Sequence, residues 1–169
     1  KTRDLAGTFG GQRSAYRAAI ADTILTSDDG KPEAVIVTTS YVKTPADPSR
    51  PVFFIYNGGP GSGSVWLQMG AFGPKRVAIP SDAKDDGAPP YPLLDNPDSL
   101  LDVADLVFID PPGTGFSHLT QGTDPKKYYG LRQDGRAVAQ VIRRWINDTG
   151  RWNSPKYLGG ESYGTSRTA

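Results

Sequence analysis

A chain of 169 residues is long enough for one domain with a real core and too short for two full ones. Nineteen Lys and Arg against eighteen Asp and Glu leave a formal charge of +1, so there is no electrostatic case for nucleic acid or an anionic membrane surface. Cysteine is absent and histidine occurs once, which excludes a disulfide framework, a thiolate nucleophile and any metal-ligand spacing.

No apolar run approaches the roughly 20 residues that span a bilayer, and Lys1 to Gly11 contains no apolar signal core. Ala15–Leu25 and Ala34–Val42 are strand-like, and Asp28-Asp29-Gly30 between them predicts an antiparallel hairpin. Pro45 to Pro51 is a polar connection. Val52-Phe53-Phe54-Ile55-Tyr56 is a continuous apolar run suited to a strand buried on both faces. Val65 to Phe72 is read as a short helix ended by Gly73-Pro74, and the proline- and aspartate-rich Ala78 to Asn96 as a surface excursion. Leu106 to Ile109 is a second buried-type strand.

Asp124 to Asp148 is the strongest helical segment. Asp124 is the expected N-cap with Pro125 at the first helical position. Val138, Val141, Ile142 and Trp145 form one apolar stripe, and Gly150 closes the helix. Tyr157 to Gly160 is a short strand. Trp66, Trp145 and Trp152 are expected in the core or in a pocket wall, and Tyr128-Tyr129 in packing rather than binding. The alternation predicts a single α/β domain, a mostly parallel sheet with an N-terminal antiparallel hairpin. Three glycine-rich loops follow three apolar strands, so they should gather beyond the strands' carboxyl ends, where such sheets bind ligands.

Gly160-Glu161-Ser162-Tyr163-Gly164 matches G-x-S-x-G directly after a strand. Glycines two before and two after the serine permit a sharp strand-to-helix turn that presents Oγ; side chains there would collide. The bare pentapeptide also fits an ordinary glycine turn. Asn57-Gly58-Gly59-Pro60-Gly61-Ser62-Gly63-Ser64 suits the second need of such a nucleophile, an oxyanion hole. One donor would be the N–H of Tyr163 and the other a backbone N–H of this loop, with Gly59 the candidate. Gly58 and Gly63 also have the spacing of a phosphate loop, but Ser64 stands where its lysine is required and Val65 where Ser or Thr is required.

Three segments in order, Asn57–Ser64, Phe108-Ile109-Asp110-Pro111-Pro112-Gly113-Thr114-Gly115-Phe116-Ser117 and Gly160–Gly164, resemble the serine carboxypeptidase family (peptidase S10). With Gly73-Pro74 and Asp95-Asn96-Pro97, the resemblance covers nearly the whole chain from about Ala15. It implies an α/β-hydrolase fold and removal of C-terminal residues from peptides by a Ser-Asp-His triad, without a cofactor. Ser162 matches the nucleophile, the N–H groups of Gly59 and Tyr163 match the oxyanion hole, and Asn57 and Glu161 match the residues that hold the substrate's terminal carboxylate. A carboxylate pair shares a site when one member is protonated, so that contact favours acidic pH. The resemblance leans toward secreted, periplasmic or vacuolar compartments. Ala71 stands where eukaryotic members often have a second glutamate, Ile55 where they have tryptophan and Ser62 where they have cysteine, so the implied carboxylate network is thinner. An esterase or acyltransferase on the same scaffold is the alternative, and a catalytically incomplete fragment the third.

The triad order in this fold is nucleophile, acid, histidine. Only Tyr163 to Ala169 follow Ser162, and His118 precedes it and reads as a loop histidine. Asp110 sits in a glycine turn, where a structural hydrogen-bonding role is expected. The chain therefore reads as the N-terminal part of the enzyme, truncated after the nucleophile strand, with the Asp and His supplied by a C-terminal remainder or a second chain. Without the base, a triad retains roughly 10³ to 10⁴ over water. An uncovered edge beside the elbow strand is an aggregation hazard, so the isolated 169-residue chain should be poorly stable unless a partner covers it. A monodisperse, cooperative thermal melt of the monomer above ~50 °C would contradict this.

Overall fold

The computed structural model describes residues 1–80, 82, 84 and 87–169. The expected hairpin is present and longer than the apolar residues alone suggest: β2 (Gln12–Thr26) pairs antiparallel with β3 (Pro32–Thr44). An unexpected strand, β1 (Thr2–Phe9), pairs antiparallel with β2 across a two-glycine turn, Gly10-Gly11. Its alternation is sparse because only Gly7 and Phe9 are buried, which hides it among polar neighbours.

Next come β4 (Val52–Tyr56), a one-turn helix α1 (Val65–Leu67) that runs into a π-turn at Gln68–Phe72, and β5 (Lys75–Val77). The surface excursion carries β6 (Leu93–Asp95), which pairs with β5 in a separate two-stranded sheet. Positions 81, 83, 85 and 86 of that excursion lie outside the described residues. After β7 (Asp105–Ile109), β8 (His118–Leu119) is a short bridge to β3, so His118 lies on a strand rather than in a loop.

The long helix begins later than its N-terminal signals predict. Asp124 caps only a 3₁₀ turn, Pro125–Lys127, accepting from the Lys126 N–H at 3.0 Å. The chain then turns Tyr128 into the core and extends at Gly130 (φ −121°), so α2 spans Leu131–Thr149. Burial of one aromatic outweighs the helical continuity that the local sequence favoured. Gly150, in the left-handed region at φ 68°, ends α2 as expected. Then come β9 (Lys156–Gly160) and α3 (Tyr163–Thr168).

The large sheet has the order β1-β2-β3-β7-β4-β9. It is mixed: β7, β4 and β9 run parallel, while β1, β2, β3 and β8 join by antiparallel pairings. Alternate residues of the parallel strands feed two cores. Val52, Phe54 and Tyr56 with Val107 and Ile109 face α2, packing on Val138 and Val141. Ile55, Leu106 and Phe108 face the other way. There an aromatic chain, Phe9–Tyr16–Tyr41–Phe108, steps across four strands with ring centroids 5.7 to 6.0 Å apart in edge geometry. Both faces being covered accounts for the continuous apolar runs of β4 and β7.

Of the three tryptophans, only Trp145 meets the core expectation, packing edge-on against Phe54. Trp66 and Trp152 are 71% and 56% exposed. In each case a chain neighbour takes the inward position: Leu67 packs on the second core, and Arg151 is buried. Tyr16 carries a different cost. Its hydroxyl is buried without a partner among the described residues, and burial, with Tyr41 and Asp95 nearby, pushes its pKa up to about 12.

A raised tyrosine pKa gives stability that is fully present below the ordinary value near 10 and lost as pH rises toward 12. Tyr16→Phe removes the orphan hydroxyl. It is expected to raise the unfolding free energy by about 1–3 kcal/mol and to reduce the alkaline loss between those pH values. Urea titrations at neutral and alkaline pH check this, and a lower midpoint at neutral pH would contradict it.

Candidate active site

The three glycine-rich loops do meet at the carboxyl ends of β4, β7 and β9. Ser162 stands where β9 gives way to α3, with φ 54° and ψ −121°. It is the single non-glycine residue with positive φ among the described residues. Such a conformation costs on the order of 1–3 kcal/mol and persists only where its surroundings enforce it. Here Glu161 O accepts from the Gly164 N–H at 2.8 Å, and Ser162 O accepts from Thr165 N–H and Oγ1 at 3.0 and 2.7 Å. The Ser162 side chain is left exposed at the corner.

The glycines around it leave no room for a side chain. A Cβ on Gly160 would land on the Gly164 carbonyl, and one on Gly164 would lie 2.9 Å from Tyr56 O. A Cβ on Gly58 would lie 2.5 Å from both Glu161 O and the Tyr163 nitrogen. The loop after β4 is therefore seated directly against the elbow, with Gly59 (φ 99°) the next residue along it.

Asn57 and Glu161, 104 residues apart in sequence, are in contact: Asn57 Nδ2 donates to Glu161 Oε2 at 3.3 Å. Asn57 Oδ1 accepts from the Leu67 N–H at 3.0 Å, which fixes the amide so that its NH₂ faces the carboxylate. Asn57 is buried and Glu161 exposed. Ala71 lies exposed on the π-turn and carries no carboxylate.

Asp110 has the structural part its turn suggested. Oδ1 accepts from the Ser64 N–H at 2.8 Å and Oδ2 from the Phe116 N–H at 3.0 Å, so one carboxylate ties the loop after β4 to the loop after β7. Ser64 Oγ adds a bond to Ile109 O. His118 is exposed, with Nδ1 3.3 Å from Phe116 O.

Two residues beside the elbow escaped the sequence reading. Arg167, on α3, is buried and donates through Nε to Asp134 Oδ2 of α2 at 2.7 Å. Asp134 precedes Ala137, Val138 and Val141 at helical spacing, so a charge heading an apolar stripe was the available signal. A cavity of about 420 Å³ also opens here, lined by Pro60, Pro112, Thr114, Tyr129 and Tyr163. Tyr128 is buried in the core as expected and Tyr129 is exposed, and both line this cavity.

The crowding at Gly160 predicts a sharp contrast between two glycines. Gly160→Ala is expected to lower the unfolding free energy by about 1–3 kcal/mol. Gly61→Ala, where nothing lies within 4 Å of the added Cβ, should change it little. Denaturant titration of the two variants checks this; equal effects would contradict it.

No curated protein matches the chain. Among solved structures it is similar to two mutant forms of a protein from Pseudomonas aeruginosa described as an epoxide hydrolase. The first is 14% identical with a TM-score of 0.38, covering 86% of this chain and 33% of that one. The second is 13% identical with a TM-score of 0.38, covering 75% and 29%. The chain thus spans about a third of the length of these structures, and likeness at this level carries no functional weight. The serine carboxypeptidase family matches residues 40–166, the stretch that holds all three glycine loops, the elbow among them. The chain belongs to the serine carboxypeptidase family.

Proposed function

We propose that this chain carries the nucleophile and oxyanion hole of a serine carboxypeptidase. Ser162 Oγ attacks the scissile carbonyl carbon as its proton passes to a base. The carbonyl electrons move onto oxygen, and the N–H groups of Gly59 and Tyr163 donate hydrogen bonds to that oxyanion. Collapse of the adduct expels the amine with that proton and leaves an acyl-enzyme on Ser162, which water then hydrolyses. The observation that carries the reading is the strained backbone of Ser162 seated directly against the Gly58-Gly59 turn.

Asn57 and Glu161 are proposed to hold the terminal carboxylate of a peptide substrate, Asn57 through its NH₂ and Glu161 through its carboxyl group. Their contact at 3.3 Å supports this pairing. The cavity beside Tyr163 supplies space for a substrate side chain. The acid and the base of the triad are proposed to come from polypeptide after Ala169 or from a second chain. A second reading, an esterase or acyltransferase, is favoured by one observation: Ala71 offers no further carboxylate, so recognition of a free C-terminus rests on a single pair.

With the acid and base present, Ser162 is expected to be labelled by a fluorophosphonate and Ser162→Ala to lose all but the roughly 10³- to 10⁴-fold residual catalysis over water. An N-blocked dipeptide and its matching ester should both be cleaved. Glu161→Ala should raise KM for the peptide acid and leave ester turnover unaltered. Cleavage of esters alone would transfer the assignment to the second reading, and no labelling of Ser162 would sink both.

A further inference from the structure

We infer that Arg167 is a positioning residue for the oxyanion hole, acting with Asp134 to fix the Gly58-Gly59 turn relative to Ser162. This rests on the nucleophile reading above. Arg167 lies on α3, the same rigid element that begins at the elbow. Its Nη1 donates to Asn57 O at 2.5 Å and its Nη2 to Pro60 O at 3.1 Å. Those carbonyls bracket Gly58-Gly59, so one side chain on the nucleophile's helix grips both ends of the turn that carries the second oxyanion donor. Nε is meanwhile held by Asp134 Oδ2 at 2.7 Å, which anchors the guanidinium to α2. Its plane packs against the rings of Tyr163 and Tyr56, with centroids 5.2 and 6.0 Å from Cζ.

Three acceptors in three fixed directions suit a planar fork and not the single point charge of lysine. The side chain is 1% exposed, so water cannot replace the lost donors. Backbone amides act on a developing oxyanion only when preorganised, and a misplacement of about 1 Å can cost on the order of 10²-fold in rate. Arg167 touches no reacting atom in this scheme; its effect passes through the loop.

A matched control lies at the opposite ends of the strands. Arg151 is likewise buried, pairs with Asp105 at 2.6 Å and donates to a backbone carbonyl, Arg50 O, at 2.6 Å. Both arginines are changed to lysine in the protein that carries its acid and base. Arg167→Lys is expected to lower kcat about 10- to 100-fold on peptide and ester alike, with KM within about twofold and fluorophosphonate labelling slowed in parallel. Arg151→Lys should lower the melting temperature comparably and leave kcat and labelling unaltered. Should Arg167→Lys fail to fold, Asp134→Asn, which retains an acceptor for Nε, is expected to give a smaller loss of kcat with KM maintained. Unaltered kcat and labelling in the Arg167→Lys protein, or in Asp134→Asn where that is the variant measured, overturn this inference alone. So does a loss of kcat shared by Arg151→Lys. No labelling of Ser162 in the unaltered protein overturns both this inference and the nucleophile reading.

Discussion

Everything at the site depends on backbone meeting backbone with no side chain between. The turn after β4 can rest against the elbow because Gly58 presents only hydrogens to Glu161 O and the Tyr163 nitrogen. The elbow itself can fold back on β4 because Gly160 and Gly164 lack Cβ atoms where the carbonyls of Gly164 and Tyr56 lie. Close approach of amide groups is what an oxyanion hole requires, and it also forces Ser162 into a conformation that few residues adopt. Strain at one residue and absence of side chains at three others are thus two faces of one packing constraint.

Buried charge pairs sit at both ends of the parallel strands, and only the pair at the carboxyl ends touches that arrangement. At their amino ends, Asp105 receives Arg151 and Arg50 and also the Lys43 N–H at 2.9 Å. This closes β3, β7 and the loop before β9 into one unit. At their carboxyl ends, Asp110 ties two glycine loops together, and Arg167 with Asp134 clamps the third element against them. Buried pairs of this kind contribute little net stability against an apolar substitute, but loss of one partner strands a charge in the interior. Their value here is geometric: each spends its hydrogen bonds on backbone groups whose positions matter.

Much of the fold was legible because burial leaves periodic marks. The apolar runs of β4 and β7, the alternation of β2 and β3, the stripe on α2 and the left-handed glycine after it all report local environment directly. β1 left little mark, since few of its residues turn inward and its pairing is declared only by two glycines at the hairpin turn. α2 starts later than its local signals imply because a good cap and a proline are local preferences, whereas the inward turn of Tyr128 is a tertiary one. Trp66 and Trp152 differ from expectation for a related reason: size argues for burial, but at each of these positions a chain neighbour, Leu67 or Arg151, takes the inward place.

The sequence by itself determined which residue types stand at the corners: the serine between glycines, the glycine loop after an apolar strand, and the Asn and Glu flanking them. Those follow from sterics within a few residues, which a linear string records. Which atoms meet was decided by tertiary structure: Asn57 Nδ2 with Glu161, the two Asp110 oxygens with two different loops, and Arg167 with the carbonyls of Asn57 and Pro60. Each contact joins segments set beside one another by the parallel pairing of β7, β4 and β9. A polar side chain carries no mark of its partner until the sheet has placed the two within reach.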